Sequence, residues 1–540
     1  VKLNPETTEQ LIHAVDRDYL EYLRDESRLS GEAESISFPT SERQIREIIM
    51  LVTDRRIPVT VQSGKTGISG GSVPRGGHIL NLGRMNKFMG LRRDSRADRY
   101  LLRLQPGVLL SQVNEAVAKK EFAAEGWNSE SLQALAALRE SGSFFFPPDP
   151  TETSAAIGGM AASDASGARS FSYGPTRRYV ESMRVVLIDG STLELKRGLQ
   201  RASGLSFRLE TEQGRVLTGS LPAYRMPATK NTAGLFAKPD MDLIDLVIGC
   251  EGTLGITTEI EIVLVPLPPV VTGVMGFFPD LGGALEFVKR IRGQSAEDSN
   301  LDKPKAVEFF DGNSLELLRR RKRDNPAFSE LPEVPEQKAG AVYVEYHGEQ
   351  PEVVEQQIFE LAELLCECGG SEDDTWLAEH PKELERLKGF RHALPEAVNL
   401  LIDERRRETP GLIKLGTDMA VPDAALEQVF DLYLRDLHES SLEYVLFGHI
   451  GNNHIHVNIL PRSMGDYERG RLLYRGWAEE VVAMGGSVSA EHGIGKLKTG
   501  LLRLMYGDEG IQQMRKVIAV FNPDGLLNRG NIVGNHAGDP

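Results

Sequence analysis

An α+β fold built from at least two domains is what the sequence predicts, on three observations. The chain has 540 residues, beyond the roughly 250–300 at which a single hydrophobic core stops growing. Short apolar, β-branched runs alternate with helical spacings along the first half. A proline cluster, Pro266-Leu267-Pro268-Pro269, then ends one run, and the pattern changes after it.

The elements follow in order. Thr8 to Arg24 shows helical spacing with many charges. Ser41 is a suitable N-cap for a helix that reaches Asp54 and lines up Ile45, Ile48, Ile49 and Val52. Strands are expected at Ile57–Val61, Leu101–Leu104, Met183–Leu187 and Ile260–Leu264. Past the prolines, Val274–Phe278 and Ala341–Tyr346 read as strands. Leu281–Arg292, Glu352–Cys366 and Ala424–Leu437 read as helices, which suits a sheet with helices on one face. Ser295–Lys305 and Pro332–Lys338 are polar loops, and Phe521–Ile532 is a turn-rich tail that must pack somewhere.

Charge and cysteine content narrow the function. Lys and Arg number 62 against 78 Asp and Glu, a net charge of -16. Such a surface repels phosphate backbones, so no nucleic-acid partner is expected. An acidic substrate needs a local positive pocket. Cys250, Cys366 and Cys368 are too few and too odd a set for a disulfide framework or a four-thiolate iron–sulfur cluster. No apolar run reaches the roughly 18 residues of a membrane span, and no secretory signal is visible. The expected location is the cytoplasm.

Three glycine-rich segments carry the first functional signal. Gln62-Ser-Gly64-Lys-Thr66-Gly67-Ile-Ser69-Gly70-Gly71 follows a strand-like run. Its glycines allow close backbone approach, so successive N–H groups can converge on an anion. It is neither G-x-G-x-x-G nor a Walker sequence, and taken alone it also suits a surface loop. Pro148-Asp149 leads into Ile157-Gly158-Gly159-Met160-Ala-Ala162, Gly167 and Tyr173-Gly174. Such small residues suit a backbone lying flat against a large planar ligand. Glu251-Gly252-Thr253-Leu-Gly255-Ile256 again places small residues at a strand end.

In this order and spacing the three segments resemble the vanillyl-alcohol oxidase / p-cresol methylhydroxylase flavoprotein superfamily. The likeness is to its D-2-hydroxy-acid branch of D-lactate, glycolate and D-2-hydroxyglutarate dehydrogenases, and it covers about residues 38–532. The resemblance implies a two-subdomain FAD-binding domain (1–268), a cap domain with a sheet covered by helices (269–510), and a C-terminal segment (511–540) returning to the FAD domain. It implies that Gly64, Thr66, Gly67, Ser69 and Gly70 hold the pyrophosphate. Pro148, Gly158, Gly159, Ala162, Gly167, Tyr173, Glu251, Gly255 and Ile256 would line the cofactor, with Asn528 beside the flavin. Gln62, Ser63, Lys65 and Asp164 depart from the commonest pattern. No histidine lies between Val59 and Pro74, so non-covalent FAD is expected.

A second signal is His449-Ile-Gly-Asn-Asn-His454-Ile-His456-Val-Asn458, which holds three of the eleven histidines. On a strand, His454, His456 and Asn458 share one face. Ser489-Ala-Glu491-His492 is a second polar cluster before a helix-like stretch. Two His plus one carboxylate leave open positions on a catalytic metal, although a lone histidine is more often structural. The resemblance assigns His449, His456 and Glu491 to a divalent metal, Zn or Mn. It makes His492 the catalytic base and Asn458 a substrate contact. His454 stands where asparagine is commoner. Arg391 and Lys414 fall on the family's substrate-carboxylate positions, whereas Pro395 replaces a polar contact of some D-2-hydroxyglutarate enzymes.

The activity so implied is oxidation of a small D-2-hydroxy acid to the 2-oxo acid by hydride transfer to flavin N5, as a dehydrogenase or an oxidase. The electron acceptor is left open among a quinone, an electron-transfer protein and oxygen. A homodimer and a peripheral contact with the inner membrane face are further expectations, the latter through the basic run Arg319–Arg323. Two alternatives are kept. One is an alkyl-glycerone-phosphate-synthase-like flavoenzyme; the other is a flavin-carrying subunit without chemistry.

Overall fold

A computed structural model describes residues 10–293 and 303–534. The expected loop Ser295–Lys305 and the start of the Thr8–Arg24 segment fall partly outside the described residues. Within that first segment the chain forms no single helix. It makes a strand, Ile12–Ala14, and a 3-10 helix, Arg17–Leu23. The strand pairs antiparallel with Ser35–Ser37, so tertiary pairing overrides the local helical spacing.

The first sheet runs in the order Ile12–Ala14, Ser35–Ser37, His78–Asn81, Val59–Gln62. Its last two pairings are parallel, joined through the helix Glu42–Asp54. Ser41 caps that helix by accepting from the Gln44 N–H, and Ile45, Ile48, Ile49 and Val52 are buried. The parallel register puts the end of Val59–Gln62, and the glycine-rich loop after it, at one edge of the layer.

A second, antiparallel sheet contains Phe88–Asp94, Arg99–Leu104, Ile256–Pro266, Val180–Val186 and Thr192–Lys196, in that order. The strand Ile256–Pro266 stops at the proline cluster. After Leu267–Pro269 the chain enters a different sheet at Val270–Phe278.

That third sheet has seven strands: Trp376–Ala378, Val270–Phe278, Gly340–Gly348, Ala306–Asp311, Tyr444–His449, His454–Ile459 and Leu415–Gly416. Helices cover both faces, not one. Val274 and Phe278 share a core with Phe287 and Leu361 from the helices Leu281–Ile291 and Pro351–Glu367. Met275 and Phe277 point the other way, into a core with Leu315 and Phe390 from the helices Gly312–Asp324 and Pro381–Arg406. Pleat alternation delivers apolar side chains to both sides, which the continuous apolar runs permit.

The tail returns to the first sheet. The Val59 N–H donates to Leu526 O at 2.8 Å, and the Asn528 N–H donates to Val59 O at 2.8 Å. The preceding helix, Thr499–Phe521, is broken at Gly507, where φ is 66°. Among the described residues no helix is long and apolar enough to cross a membrane. The basic run is paired locally: Arg321 bridges to Glu404 at 2.7 Å, Lys322 to Glu333, and Arg319 to Glu316 at 3.0 Å. These carboxylates offset the positive patch expected to face lipid. Cys366 is exposed and Cys368 buried, both as free thiols.

His78 ties the first sheet together. It is fully buried, with Ser35 Oγ 2.9 Å from Nδ1 and Ser37 Oγ 2.8 Å from Nε2. Burial lowers its pKa to about 4. The unfolded chain therefore binds the proton first, near pH 6.5. The stability that neutral His78 contributes is complete above that pH and is lost as pH falls toward 4. Replacing His78 with Gln is expected to flatten the pH dependence of unfolding between pH 6.5 and 4 relative to wild type, as followed by urea titration.

Candidate active site

One cavity of about 870 Å³ lies between the sheets, lined by all three glycine-rich segments and by the histidine clusters. Its long arm is mostly backbone. Gly64, Thr66, Gly67 and Ser69 line it from the first segment, Gly158, Gly159 and Ala162 from the second, and Glu251 and Gly255 from the third. The second segment is pressed onto its neighbours. A Cβ on Gly158 would sit 2.4 Å from Pro106 Cβ, so only glycine lets this turn lie flat.

Five residues expected at the cofactor do not line the cavity. Gly70 turns the loop with φ 74°. Gly167 is held by close approach to Asp149, whose carbonyl would lie 2.0 Å from an added Cβ. Pro148 is buried beside that turn. Ile256 belongs to the core under the first sheet. Tyr173 turns toward the cap, where its hydroxyl lies 2.7 Å from His347 Nδ1.

Glu251 and Asn528 close the floor. The buried Glu251 carboxylate accepts from the Ile494 and Gly495 N–H groups at 2.6 and 2.7 Å. Asn528 Oδ1 accepts from the Val61 N–H at 2.8 Å, and its Nδ2 donates to Glu251 O at 2.8 Å. One side chain thus joins the tail, the strand Val59–Gln62 and the third segment. The loss of both bonds in Asn528→Ala removes the side-chain partner of the Val61 N–H, while Glu251 O keeps only its contact from Asn531 Nδ2 at 3.1 Å. It is expected to cost about 1–3 kcal/mol, read from denaturant unfolding, and to speed loss of bound flavin.

At the other end of the cavity the hairpin Tyr444–His449 / His454–Ile459 places His449 directly opposite His454 and Phe447 opposite His456. Glu491 arrives from the loop before the last helix. Its Oε1 lies 3.1 Å from His449 Nε2, 3.4 Å from His456 Nε2 and 3.4 Å from His492 Nε2. The far nitrogens are spoken for. His449 Nδ1 faces Glu308 Oε1 at 2.6 Å, and His456 Nδ1 donates to Thr417 O at 2.8 Å. Metal-ligating histidines bind their second nitrogen to a carboxylate or carbonyl in this way. In neutral His456 the lone pair on Nε2 then points at a carboxylate oxygen, an arrangement that a cation between them would relieve. Candidate donor atoms of His449, His454, His456 and Glu491 all lie within 4.8 Å of one another. Both ring nitrogens of His454 are buried without a hydrogen-bond partner, although Asp418 Oδ1 lies 3.1 Å from Nε2. These residues fit a divalent metal.

The charges around them are shifted by contact. Burial opposes protonation of His449, but Glu308 and Glu491 outweigh it and hold its pKa at about 9. Asp418 stays well below the usual carboxylate range: burial opposes its charge, and His492 and Lys498 overcome that. Arg391 lies 3.7 Å from Glu308 and 5.0 Å above the Tyr343 ring. Burial, then Arg28, lowers the pKa of Lys414 to about 8. Arg391, Lys414 and Asn458 all line the cavity, as do His449, His456, Glu491 and His492.

Sequence reading missed several residues of this cluster. Glu308 is the lone carboxylate inside the apolar run Ala306–Phe310, a pattern that could have flagged it. Asp418 lies four residues past Lys414, yet nothing local announced its role. Lys230 and Lys498, which pair with Glu491 and Asp418 at 2.6 Å each, carried no signal at all.

A cofactor-binding arm of small residues joined to a polar, metal-competent pocket under a sheet-based cap defines a two-part flavoenzyme architecture. Residues 267–532 match the family described as FAD linked oxidases, C-terminal domain, and residues 33–131 and 129–196 match the FAD binding domain. The chain belongs to the FAD-linked oxidase family and is an oxidoreductase. It is 25% identical to a D-lactate dehydrogenase of Anaerostipes hadrus over 95% of this chain and 92% of that protein. It is 24% identical to the glycolate oxidase subunit GlcD of Bacillus subtilis over 93% and 90% of the two. It is 27% identical to a D-2-hydroxyglutarate dehydrogenase of Xanthomonas citri pv. viticola over 93% and 89%. Among solved structures, an alkyldihydroxyacetonephosphate synthase superposes with a TM-score of 0.60 at 14% identity, over 96% of this chain and 83% of that one. That last likeness is one of fold.

Proposed function

We propose that the protein oxidises a small D-2-hydroxy acid to its 2-oxo acid, with FAD in the long arm and a divalent metal at His449, His456 and Glu491. The observation that carries this reading is the meeting, at one end of one cavity, of imidazole nitrogens facing a carboxylate and of two cationic side chains. The names of the relatives support the substrate class. When bound, FAD supplies the hydride acceptor, and the metal supplies a Lewis acid for the substrate hydroxyl.

The remaining work belongs to the chain. Arg391 and Lys414 bind the substrate carboxylate; a planar guanidinium suits two-point contact. Lys414 has no ion-pair partner of its own among the described residues, which leaves it available. Asn458, on the same strand face as His456, orients the hydroxyl-bearing end. Asp418 Oδ1 lies 3.4 Å from His492 Nδ1 and favours the proton there. Nε2 of His492 is then the base that receives the hydroxyl proton.

The test is an anaerobic visible spectrum of the purified protein during addition of D-lactate, glycolate, D-2-hydroxyglutarate and the corresponding L-acids. A flavin absorption bleached by a D-acid, and protected from bleaching by prior chelator treatment, supports the reading. A flavin that no hydroxy acid bleaches overturns it. Two variants follow. Arg391→Lys is expected to lower kcat/KM about 10- to 100-fold by losing two-point carboxylate contact. His492→Ala should leave bound flavin intact and reduce kcat about 10²- to 10⁴-fold, as measured with an artificial electron acceptor.

A further inference from the structure

Glu491 is approached from two sides. Nε2 of His449, His456 and His492 faces its Oε1 from the cavity, while His454 Nδ1 stands off its Oε2 at 4.0 Å. Its Oε2 accepts from Lys230 Nζ at 2.6 Å. Lys230 does not line the cavity, and both side chains of the pair are below 10% exposed, at 8% and 9%. The lysine therefore reaches the carboxylate from behind the pocket.

Its backbone is fixed to the two loops that build that pocket. The Thr229 hydroxyl donates to Val421 O at 3.0 Å. The Ser487 hydroxyl donates to Asn231 Oδ1 at 2.6 Å. The Thr232 N–H donates to Ser489 O at 2.8 Å, and the Gly493 N–H donates to Thr232 Oγ1 at 3.2 Å. Residues 229–232 thus form a strap across the loop that carries Glu491 and His492, with Lys230 at its centre.

We propose that Lys230 is a positioning residue for the Glu491 metal ligand. It occupies one carboxylate oxygen and leaves the other as a single-oxygen ligand, and its charge limits how much of the Glu491 charge a bound cation receives. The inference rests on the metal reading above. Two physical consequences follow. With the ammonium removed, the buried Glu491 carboxylate loses its lysine partner, which is costly without a cation. Both of its oxygens also become free to bind one. The lysine thus weakens metal binding and keeps the cation electron-poor, which serves polarisation of a substrate oxygen.

The test uses flavin-loaded, chelator-treated full-length protein with Co²⁺ as the probe. Wild type, Lys230→Met, Lys230→Gln, Lys230→Arg and His449→Ala/His456→Ala are compared by calorimetric Co²⁺ titration, visible Co²⁺ spectrum and thermal unfolding. Met and Gln at 230 are expected to tighten Co²⁺ binding about tenfold and to weaken the Co²⁺ visible bands as coordination number rises. They should also lower the Tm of the chelator-treated protein while enlarging the Tm gain on adding Co²⁺. Arg should stay near wild type. A folded Met or Gln variant with unchanged or weaker Co²⁺ affinity overturns the role of Lys230 and leaves the metal reading standing. Absence of Co²⁺ binding by wild type, or binding that survives the double histidine variant, overturns both. Gln retains a hydrogen-bonding side chain, so it tests the charge even if Met fails to fold.

Discussion

The pocket depends on one buried carboxylate, Asp418. It accepts from the Glu491 and His492 N–H groups at 3.1 Å each, from Ser489 Oγ at 2.7 Å and from Lys498 Nζ at 2.6 Å. Its side chain also lies beside His454 and His492. A buried carboxylate is tolerated only when its lone pairs are filled, and filling these forces the 489–492 loop into one conformation. That conformation aims Glu491 at the hairpin histidines and leaves His492 partly open to the cavity. Glu491, His492 and Asp418 are therefore set by one network, which gives the rigidity that the proposed chemistry needs.

The second constraint is closure of the chain on itself. Asn528 bonds to Val61 and to Glu251 O, and Glu251 bonds to the Ile494 and Gly495 N–H groups. Lys496 adds contacts to Asn531 Oδ1 at 2.6 Å and to Gly71 O at 3.1 Å. The tail, the first glycine-rich loop, the third glycine-rich segment and the loop carrying Glu491 and His492 meet at this floor. The cofactor arm and the polar pocket are consequently parts of one packed unit.

Electrostatics reconcile an acidic protein with the acidic substrate proposed for it. The net charge of -16 disfavours anions at long range, though screening confines that effect to about 8–10 Å at ordinary salt. Inside the cavity Arg391 and Lys414 supply positive charge close to the histidine cluster. Burial raises the cost of their charge, and an incoming carboxylate lowers it again. The same logic makes Lys414 responsive, since its pKa is lowered to about 8.

By itself the sequence determined the segments that must be strands or helices, the break at Pro266–Pro269, and the glycine positions where backbone must come close. Ser41 and the apolar face of its helix were legible because capping and periodicity are local. So were the histidines at two-residue spacing, because strand geometry alone puts them on one face. The tertiary structure decided the rest. Ile12–Ala14 became a strand through pairing with Ser35–Ser37, and helices came to cover both faces of the third sheet. Tyr173 turned to His347, while Glu308, Asp418 and Lys230 came to the Glu491 cluster from distant points along the chain. Local patterns report what a residue does to its own backbone. Which distant charges must share one dry pocket is settled only when the whole chain has satisfied its buried polar groups.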